Sequence, residues 1–381
     1  MKRNSSLLLL VCCASLLGMA KPAQARAGES AAARVETGVD IELEKARTAW
    51  QEAAAEATKN HLRAVAARGD ARSLLAAAML WPQWQDDVSH GKGPAIAQEK
   101  RAWFDAARDA RPRELLVAWV EASDCGGLSD HCDPEGALRF LLQAESGNAA
   151  VHLLALGVAD RAGAKEAAEA HWQAAVAAGM YDPHALEISQ LLYLAMEGAS
   201  LPLFTPALAG SMGQSIGMNR GATPEELRDI GTMAVWAAVA LPAFQFTRRC
   251  SADSLAAGTG QLQAECERIM ALLAQDEGTL ISTLIGLKKM AELTADGADG
   301  AVWRERLRQV HWVYENAQDS MGSSAATRLP PDYLGWVMRE GELPAMRRLL
   351  EAKRIPAAPP KGWLPRQADV RALLESADAA G

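Results

Sequence analysis

The stretch of sequence that decides the fold is 168–198, which reads AEAHWQAAVAAGMYDPHALEISQLLYLAMEG. Its first half is rich in alanine around a single Trp172, its middle contains Gly179 and Pro183, and its second half is rich in leucine and alanine. Alanine is the strongest helix former, whereas glycine and proline interrupt helices. The stretch therefore predicts two helices joined by a turn, with one large ring placed among small side chains.

Similar helix openings recur upstream of this stretch. DARSLL begins at Asp70, RPRELL at Arg111, NAAVHL at Asn148 and DPHALE at Asp182, at intervals of 41, 37 and 34 residues. Each opening carries an Asp, Asn or Pro that suits the cap or the first turn of a helix. Second helical stretches are predicted between the openings, over 95–110, 134–145 and 165–178. Repeated helix–turn–helix units predict an all-α fold in which hairpins stack into an α-solenoid.

The composition of the whole chain favours helices and argues against β folds. Of the 381 residues, 49% are hydrophobic, but only 5% are aromatic, and 11 of those aromatic residues are Trp. Because sandwiches, barrels and parallel-sheet enzymes need strands rich in Val, Ile, Tyr and Phe, the composition argues against these classes. The chain is also too apolar and too weakly charged to be disordered as a whole.

The segment 168–198 resembles the tetratricopeptide and Sel1-like helical repeats found in proteins of the bacterial envelope. The residues that carry the resemblance are Ala170, Trp172, Ala174, Ala175, Gly179, Ala185, Leu192, Tyr193 and Gly198. The likeness extends over roughly 70–200, although the spacings from Gly to Ala and from Tyr to Gly depart from the Sel1 pattern. In those families a large aromatic ring fills the gap left by small residues, which implies the same place for Trp172. The resemblance implies architecture only, and it assigns no binding residue.

The first 25 residues have the features of a secretory signal peptide. Two basic residues are followed by an apolar stretch over 7–18 without a charge, and an Ala-Gln-Ala tripeptide ends at Ala25. The apolar stretch is shorter than the ~20 residues that span a bilayer. We therefore predict cleavage after Ala25, with Ala20 and Ala27 as alternative sites. The mature protein is expected to be periplasmic or secreted.

The charge of the chain indicates which partners it lacks. Cleavage after Ala25 removes three basic residues and no acid, so the net charge moves from 39 − 47 = −8 to 36 − 47 = −11. An acidic chain has no electrostatic attraction for nucleic acid, and no nucleic-acid partner is predicted. The uncharged run 230–247 contains Pro242 and much alanine, so it is interpreted as a buried helix. We expect no stable membrane span after signal removal.

Four cysteines remain after cleavage, namely Cys125, Cys132, Cys250 and Cys266. An even number of cysteines in an exported chain predicts disulfides, and four allow three connectivities. The simplest connectivity is local, with Cys125 bonded to Cys132 and Cys250 to Cys266. The competing interpretation, a metal site with His131 beside Cys132, matches no zinc-binding spacing. We predict no metal and no cofactor.

The chain divides by composition into five segments. After the signal peptide 1–25, residues 26–198 form the helical repeat region, and 199–224, rich in Gly, Pro, Ser and Met, reads as a linker or loop. Residues 225–355 form a second helical region, followed by a Pro-rich tail, 356–381, with a short helix near 369–377. Within the second region, helices are predicted over 233–246, 262–275, 279–293, 301–317, 331–339 and 344–353.

One motif has the spacing of a hydrolase nucleophile. Residues 213–217, GQSIG, fit G-x-S-x-G, in which the serine lies on a sharp turn between a strand and a helix. No strand is predicted before Ser215, and the single downstream histidine, His311, lies in an amphipathic helix. An envelope hydrolase using Ser215 and a helical enzyme acting on the cell wall are therefore alternatives. A third alternative is an envelope-maintenance protein without a fixed ligand.

The interpretation that the residues favour is not an enzyme. Stacked helical hairpins present an extended concave surface, which in repeat proteins holds a protein or a peptide. We therefore predict a non-enzymatic interaction scaffold with a protein or peptide partner on that surface.

Overall fold

The computed structural model describes residues 38–82, 97–125, 127–216, 218, 220–239, 244–258, 260–295, 299–321 and 329–375. This described part is all-helical, without a strand, as the composition predicts. A single bridge joins Asn148 and Met180. The signal peptide 1–25 and its cleavage site after Ala25 lie outside the described residues.

The first region forms hairpins where the repeated openings predict them. Asp70 accepts a hydrogen bond from the backbone N–H of Ser73, and Asn148 accepts one from that of Ala150, so both side chains cap the helices that follow. The helices are α1 (Gly38–Ala66), α2 (Ala71–Leu80), α3 (Gln98–Asp109), α4 (Leu115–Asp124), α5 (Pro134–Ala144), α6 (Ala149–Ala162), α7 (Lys165–Ala177) and α8 (Ala185–Met196).

Further helices follow in the segment 199–224, in the second region and in the tail. They are α9 (Pro206–Ser215), α10 (Pro224–Val239), a 3₁₀ helix (Phe244–Cys250), α11 (Ala252–Ala257), α12 (Gly260–Leu273), α13 (Leu280–Leu293), α14 (Gly300–Met321), α15 (Tyr333–Glu340), α16 (Glu342–Ala352) and α17 (Ala368–Glu375). The prediction of one helix over 233–246 was wrong, because α10 ends at Val239 and a 3₁₀ helix begins at Phe244.

The prediction of a linker or loop over 199–224 was wrong for α9. The hydroxyl of Thr205 accepts a hydrogen bond from the backbone N–H of Leu208, and Pro206 occupies the first turn, where its missing N–H costs nothing. Leu208 and Met212 are buried in a small cluster that also contacts Trp50 of α1. Tertiary packing against α1 therefore supports a helix that the Gly-rich composition does not predict.

The helices pack in neighbouring pairs, chiefly α2 with α3, α4 with α5, α6 with α7, α12 with α13, α13 with α14 and α15 with α16. Helix α8 differs, since it contacts α1, α2, α10 and α15, which come from distant parts of the chain. In an ideal solenoid each repeat contacts only its neighbours. The main buried core instead combines side chains of both helical regions and extends from Leu62 to Leu374, whereas Leu208 and Met212 of α9 belong to the separate small cluster.

Small residues bring the paired helices close together. In α2 every residue from Ser73 to Leu80 is buried, including three consecutive alanines. Where α13 crosses α12, Gly286 lies so close that a Cβ atom would be 2.7 Å from the carbonyl oxygen of Met270. Trp172 of α7 is fully buried.

Candidate functional site

A cavity of about 320 Å³ opens between α13, α14 and α16. Its floor is apolar and consists of four buried side chains: Leu287, Val310, Val313 and Leu343. Its rim is polar, with Arg306, Gln309, Arg347 and Glu277, and residues 357 and 358 form one wall. A pocket with an apolar floor and a few placed polar groups is the usual form of a ligand site.

Helical spacing places these side chains on the faces that meet at the cavity. On α14, Arg306, Val310 and Val313 are separated by four and three residues, and on α16 Leu343 and Arg347 are separated by four. Residues three or four apart lie on one face of a helix. Helices α14 and α16 therefore each contribute apolar surface to the floor and one arginine to the rim, and α13 adds Leu287 to the floor.

The two rim arginines differ in their partners. The Nη1 atom of Arg347 donates to Oε1 of Glu277 over 2.9 Å, so these two charges neutralise each other. The guanidinium of Arg306 lies over the ring of Trp303, 5.2 Å from its centroid, and its Nη2 donates to the carbonyl of Ala274 over 3.4 Å. No carboxylate pairs with Arg306 among the described residues, so the rim carries two positive charges and one negative charge.

The wall of the cavity belongs to the start of the Pro-rich tail. The indole Nε1 of Trp312 donates to the carbonyl of Pro356 over 2.8 Å, and Nη1 of Arg308 donates to the carbonyl of Pro360 over 3.1 Å. Trp363 meets Trp312 edge to face, with ring centroids 5.2 Å apart. The segment 356–360 is therefore held at both ends on α14, and its two alanines lie over the cavity.

Two buried carboxylates near the cavity serve to accept hydrogen bonds from the first turn of α13. The Oδ2 atom of Asp276 accepts from the hydroxyl of Thr279 over 2.8 Å, and Oε2 of Glu342 accepts from the backbone N–H of Leu280 over 2.8 Å. Burial raises the pKa of both carboxyl groups above the ordinary range. They satisfy polar groups at the first turn of α13, whose positive dipole end favours acids.

His311, the histidine downstream of Ser215, lies buried within α14. Burial lowers the pKa of its imidazole to about 4, with opposing smaller effects from Asp369, which raises it, and Lys288, which lowers it. No hydrogen-bond partner for its Nδ1 atom lies within the described residues. A neutral, enclosed imidazole of this kind belongs to the core.

Because the pKa of His311 is lowered in the folded state, we expect the free energy of unfolding to decrease in acid. A histidine titrates near ~6.5 when unfolded, so the folded state loses stability as the pH falls from about 6.5 through its depressed pKa. Since that pKa is about 4, the full loss is about 3 kcal/mol. Urea unfolding as a function of pH should show this slope in the wild type and a flatter one in His311→Phe. The surface variant His131→Gln is the control, and an equal acid dependence in wild type and His311→Phe would contradict the prediction.

Ser215 does not lie on a nucleophile elbow. It is the last residue of α9, and no strand precedes it in the described part of the chain. Its hydroxyl donates to the carbonyl of Met212 over 2.8 Å, and no histidine or carboxylate among the described residues bonds to it. The motif residue Gly217 lies outside the described residues. The geometry therefore supplies no base for Ser215.

The four predicted disulfide cysteines come together in two local pairs. The sulfurs of Cys125 and Cys132, and those of Cys250 and Cys266, lie at bonding distance, with Cα atoms 6.2 Å and 5.7 Å apart. These pairs are compatible with an oxidising compartment. No cluster of three or more His, Cys, Asp or Glu side chains that could hold a metal occurs within the described residues.

A buried polar junction lies beside the second cysteine pair. The indole Nε1 of Trp172 donates to Oε2 of Glu265 over 2.7 Å, and Gln173 and Gln261 donate to its Oε1 over 3.0 and 2.9 Å. Burial alone raises the pKa of this carboxyl, but the three hydrogen bonds outweigh it and hold the pKa below the ordinary range. The guanidinium of Arg249 covers the ring of Trp172, 5.3 Å from its centroid. The junction ties α7 of the first region to α12 of the second.

Neither the cavity nor this junction is predicted from the sequence. The residues that form them are common helix-face residues, and each set comes from helices that are far apart in the sequence. One signal was present: Arg306 and Arg347 lie among apolar residues at spacings of three and four. That pattern alone does not show that the two faces meet.

None of the described helices combines the length and the apolar character that a membrane span requires. No protein-family model matches this chain, and neither a curated protein nor a solved structure matches it.

Proposed function

We propose that this protein is a non-enzymatic interaction scaffold that holds a protein or peptide partner in the periplasm or outside the cell. In this proposal the hairpins of residues 70–198 stack as an α-solenoid, like the tetratricopeptide and Sel1-like repeats that the segment 168–198 resembles. The predicted signal peptide and the two cysteine pairs support export. The conclusion about function is carried by the cavity between α13, α14 and α16.

The chemistry of the cavity favours binding over reaction. Four apolar side chains and two guanidiniums offer an apolar contact and a positive charge, and Gln309 adds an amide. The one lining hydroxyl, that of Thr283, donates to the backbone carbonyls of Asp276 and Thr279, and no basic side chain among the described residues bonds to it as an activating group. Binding residues without an activated nucleophile are what a scaffold requires.

Selection of a random peptide library on the intact, oxidised protein tests the proposal. We expect recovered peptides to lose binding to Ala358→Trp, because residue 358 is exposed and a large ring there fills the mouth of the cavity. The matched control is Ala170→Trp, which places the same ring on the exposed surface of α7. Failure to recover any peptide, or equal binding to both variants, would overturn the proposal.

A further inference from the structure

We propose that the cavity binds the carboxyl-terminal residue of a peptide, with its carboxylate at Arg306 and a branched aliphatic side chain on the floor. This inference rests on the proposed function and specifies its ligand. The shared chemistry is an aliphatic carboxylate, which a peptide end and a free branched acid both carry. The peptide end is the source to which we assign the site.

The charge of the rim is the first argument. Arg306 is half-buried, and its polar contacts within the described residues are one long hydrogen bond to the Ala274 carbonyl and the face of Trp303. A charge removed from water without an opposite charge is costly, so an incoming anion is favoured. A carboxylate matches the planar guanidinium because it accepts two parallel N–H bonds. Trp303 supports the guanidinium on one face.

The second rim arginine sets how much charge the site accepts. Arg347 is already paired with Glu277, so the rim has a net charge of +1, from two guanidiniums and one carboxylate. One negative charge balances this rim. A phosphate or a cluster of acids brings more, and the carboxylate of Glu277 repels the excess. The charge therefore favours a monocarboxylate.

The size and the floor of the cavity are the second argument. Leu287, Val310, Val313 and Leu343 are buried and line the same cavity as the two arginines. The volume of about 320 Å³ lies at the lower end of the range for ligand sites, ~300–1,000 Å³. It fits one residue better than the surface of a folded partner. Burial of an aliphatic side chain on this floor adds hydrophobic stabilisation to the charge interaction.

The wall at residues 357 and 358 is the third argument. The segment 356–360 is fixed on α14 by hydrogen bonds from Trp312 and Arg308, so one side of the cavity is closed. A chain end enters such a space with less displacement than a segment that continues in both directions. A terminal carboxylate therefore fits better than the side chain of an internal Asp or Glu.

Fluorescence anisotropy on the intact protein tests this inference. The probes are the fluorescein-labelled peptide Ala-Gly-Ser-Gly-Ala-Leu with a free carboxyl end and the same peptide amidated, and the competitor is 4-methylpentanoate. We expect amidation to weaken binding at least tenfold, as a charge-assisted contact is lost. Arg306→Gln should weaken binding of the free-carboxyl peptide by a similar factor. Arg306→Lys keeps the positive charge, so it should lose less affinity. Glu277→Gln should bind more tightly.

The matched control is Arg304→Gln, on the same helix but outside the cavity, and it should bind like the wild type. Equal affinity for the free and amidated peptides, or equal effects of Arg304→Gln and Arg306→Gln, would overturn the inference. The concentration of 4-methylpentanoate that displaces the labelled peptide is compared with the concentration of unlabelled peptide that does so. If the free acid displaces the probe at the lower concentration, the assignment of the site to a peptide is overturned. Library peptides whose binding is lost in Ala358→Trp but unchanged by amidation would support the proposed scaffold function and would overturn only the assignment of a terminal carboxylate as the ligand.

Discussion

Replacing Trp172 by alanine is expected to lower the free energy of unfolding by about 3–5 kcal/mol. The indole is fully buried, so its removal leaves a cavity that the surrounding structure closes only in part. The substitution also removes the indole N–H that donates to Glu265. The buried carboxylate of Glu265 then keeps only the hydrogen bonds from Gln173 and Gln261. Both effects act at the contact between α7 and α12.

A second substitution separates the two effects. Trp172→Phe keeps most of the apolar volume but removes the donor, and a hydrogen bond to a charged group contributes about 1.5–3 kcal/mol. Trp50→Phe is the matched control, because its indole donates over 2.8 Å to the neutral carbonyl of Pro202 at a partly exposed site. Urea unfolding followed by far-UV circular dichroism measures all three variants. Equal losses for Trp172→Phe and Trp50→Phe would show that the buried carboxylate adds nothing.

Removal of the Cys250–Cys266 pair is expected to cost about 3 kcal/mol. The two residues are 16 apart in the sequence, and a cross-link that closes a loop of this length restricts the unfolded chain by about that amount. Both cysteines are fully buried, at the end of the 3₁₀ helix and within α12. Alanine is the appropriate replacement for both, because it leaves no hydroxyl in the core.

The Cys125–Cys132 pair provides the comparison. Its residues are only seven apart, so the double alanine variant should cost somewhat less, about 2.5 kcal/mol. Urea unfolding of both double variants, with free thiols counted by alkylation and mass spectrometry, measures the difference. A wild-type protein whose unfolding is unchanged by a reductant would contradict the prediction for both pairs.

The two predictions also interact. Cys266 follows Glu265 directly in α12, so the disulfide and the bond from Trp172 restrain the same turn. Residues that share contacts deviate from additivity by about 0.5–3 kcal/mol. The triple variant that combines Trp172→Phe with both alanines should therefore differ from the sum of its parts. Additivity would show that the junction and the disulfide act independently.

Helices with a strong local pattern were predicted well. Asp70 and Asn148 cap the helices that they precede, and the predicted stretch 165–178 coincides with α7 to within one residue. Capping and amphipathic spacing depend on residues within a few positions, which are visible in the sequence. The local cysteine pairs follow for the same reason, since a short loop limits the distance between its ends.

Helices whose support comes from elsewhere in the chain were missed. No helix is predicted between 246 and 262, yet Ala252–Ala257 form α11 after a cap by Ser251. Helix α9 likewise depends on α1, which precedes it by more than a hundred residues. The composition of a segment indicates only its average helix propensity. Where that propensity is weak, contacts with other parts of the chain decide whether a helix forms.

The sequence by itself determined an all-helical chain with paired neighbouring helices, and it made local pairing the simplest of three cysteine connectivities. Each of these depends on residues close together in the chain, where helix periodicity and loop length act directly. The tertiary structure alone decided that Glu265 meets Trp172 and that Arg306 and Arg347 face one cavity. These contacts join helices that are far apart in the sequence. The apolar face of a helix shows in the sequence that the helix packs against something, but it does not show which other helix it contacts.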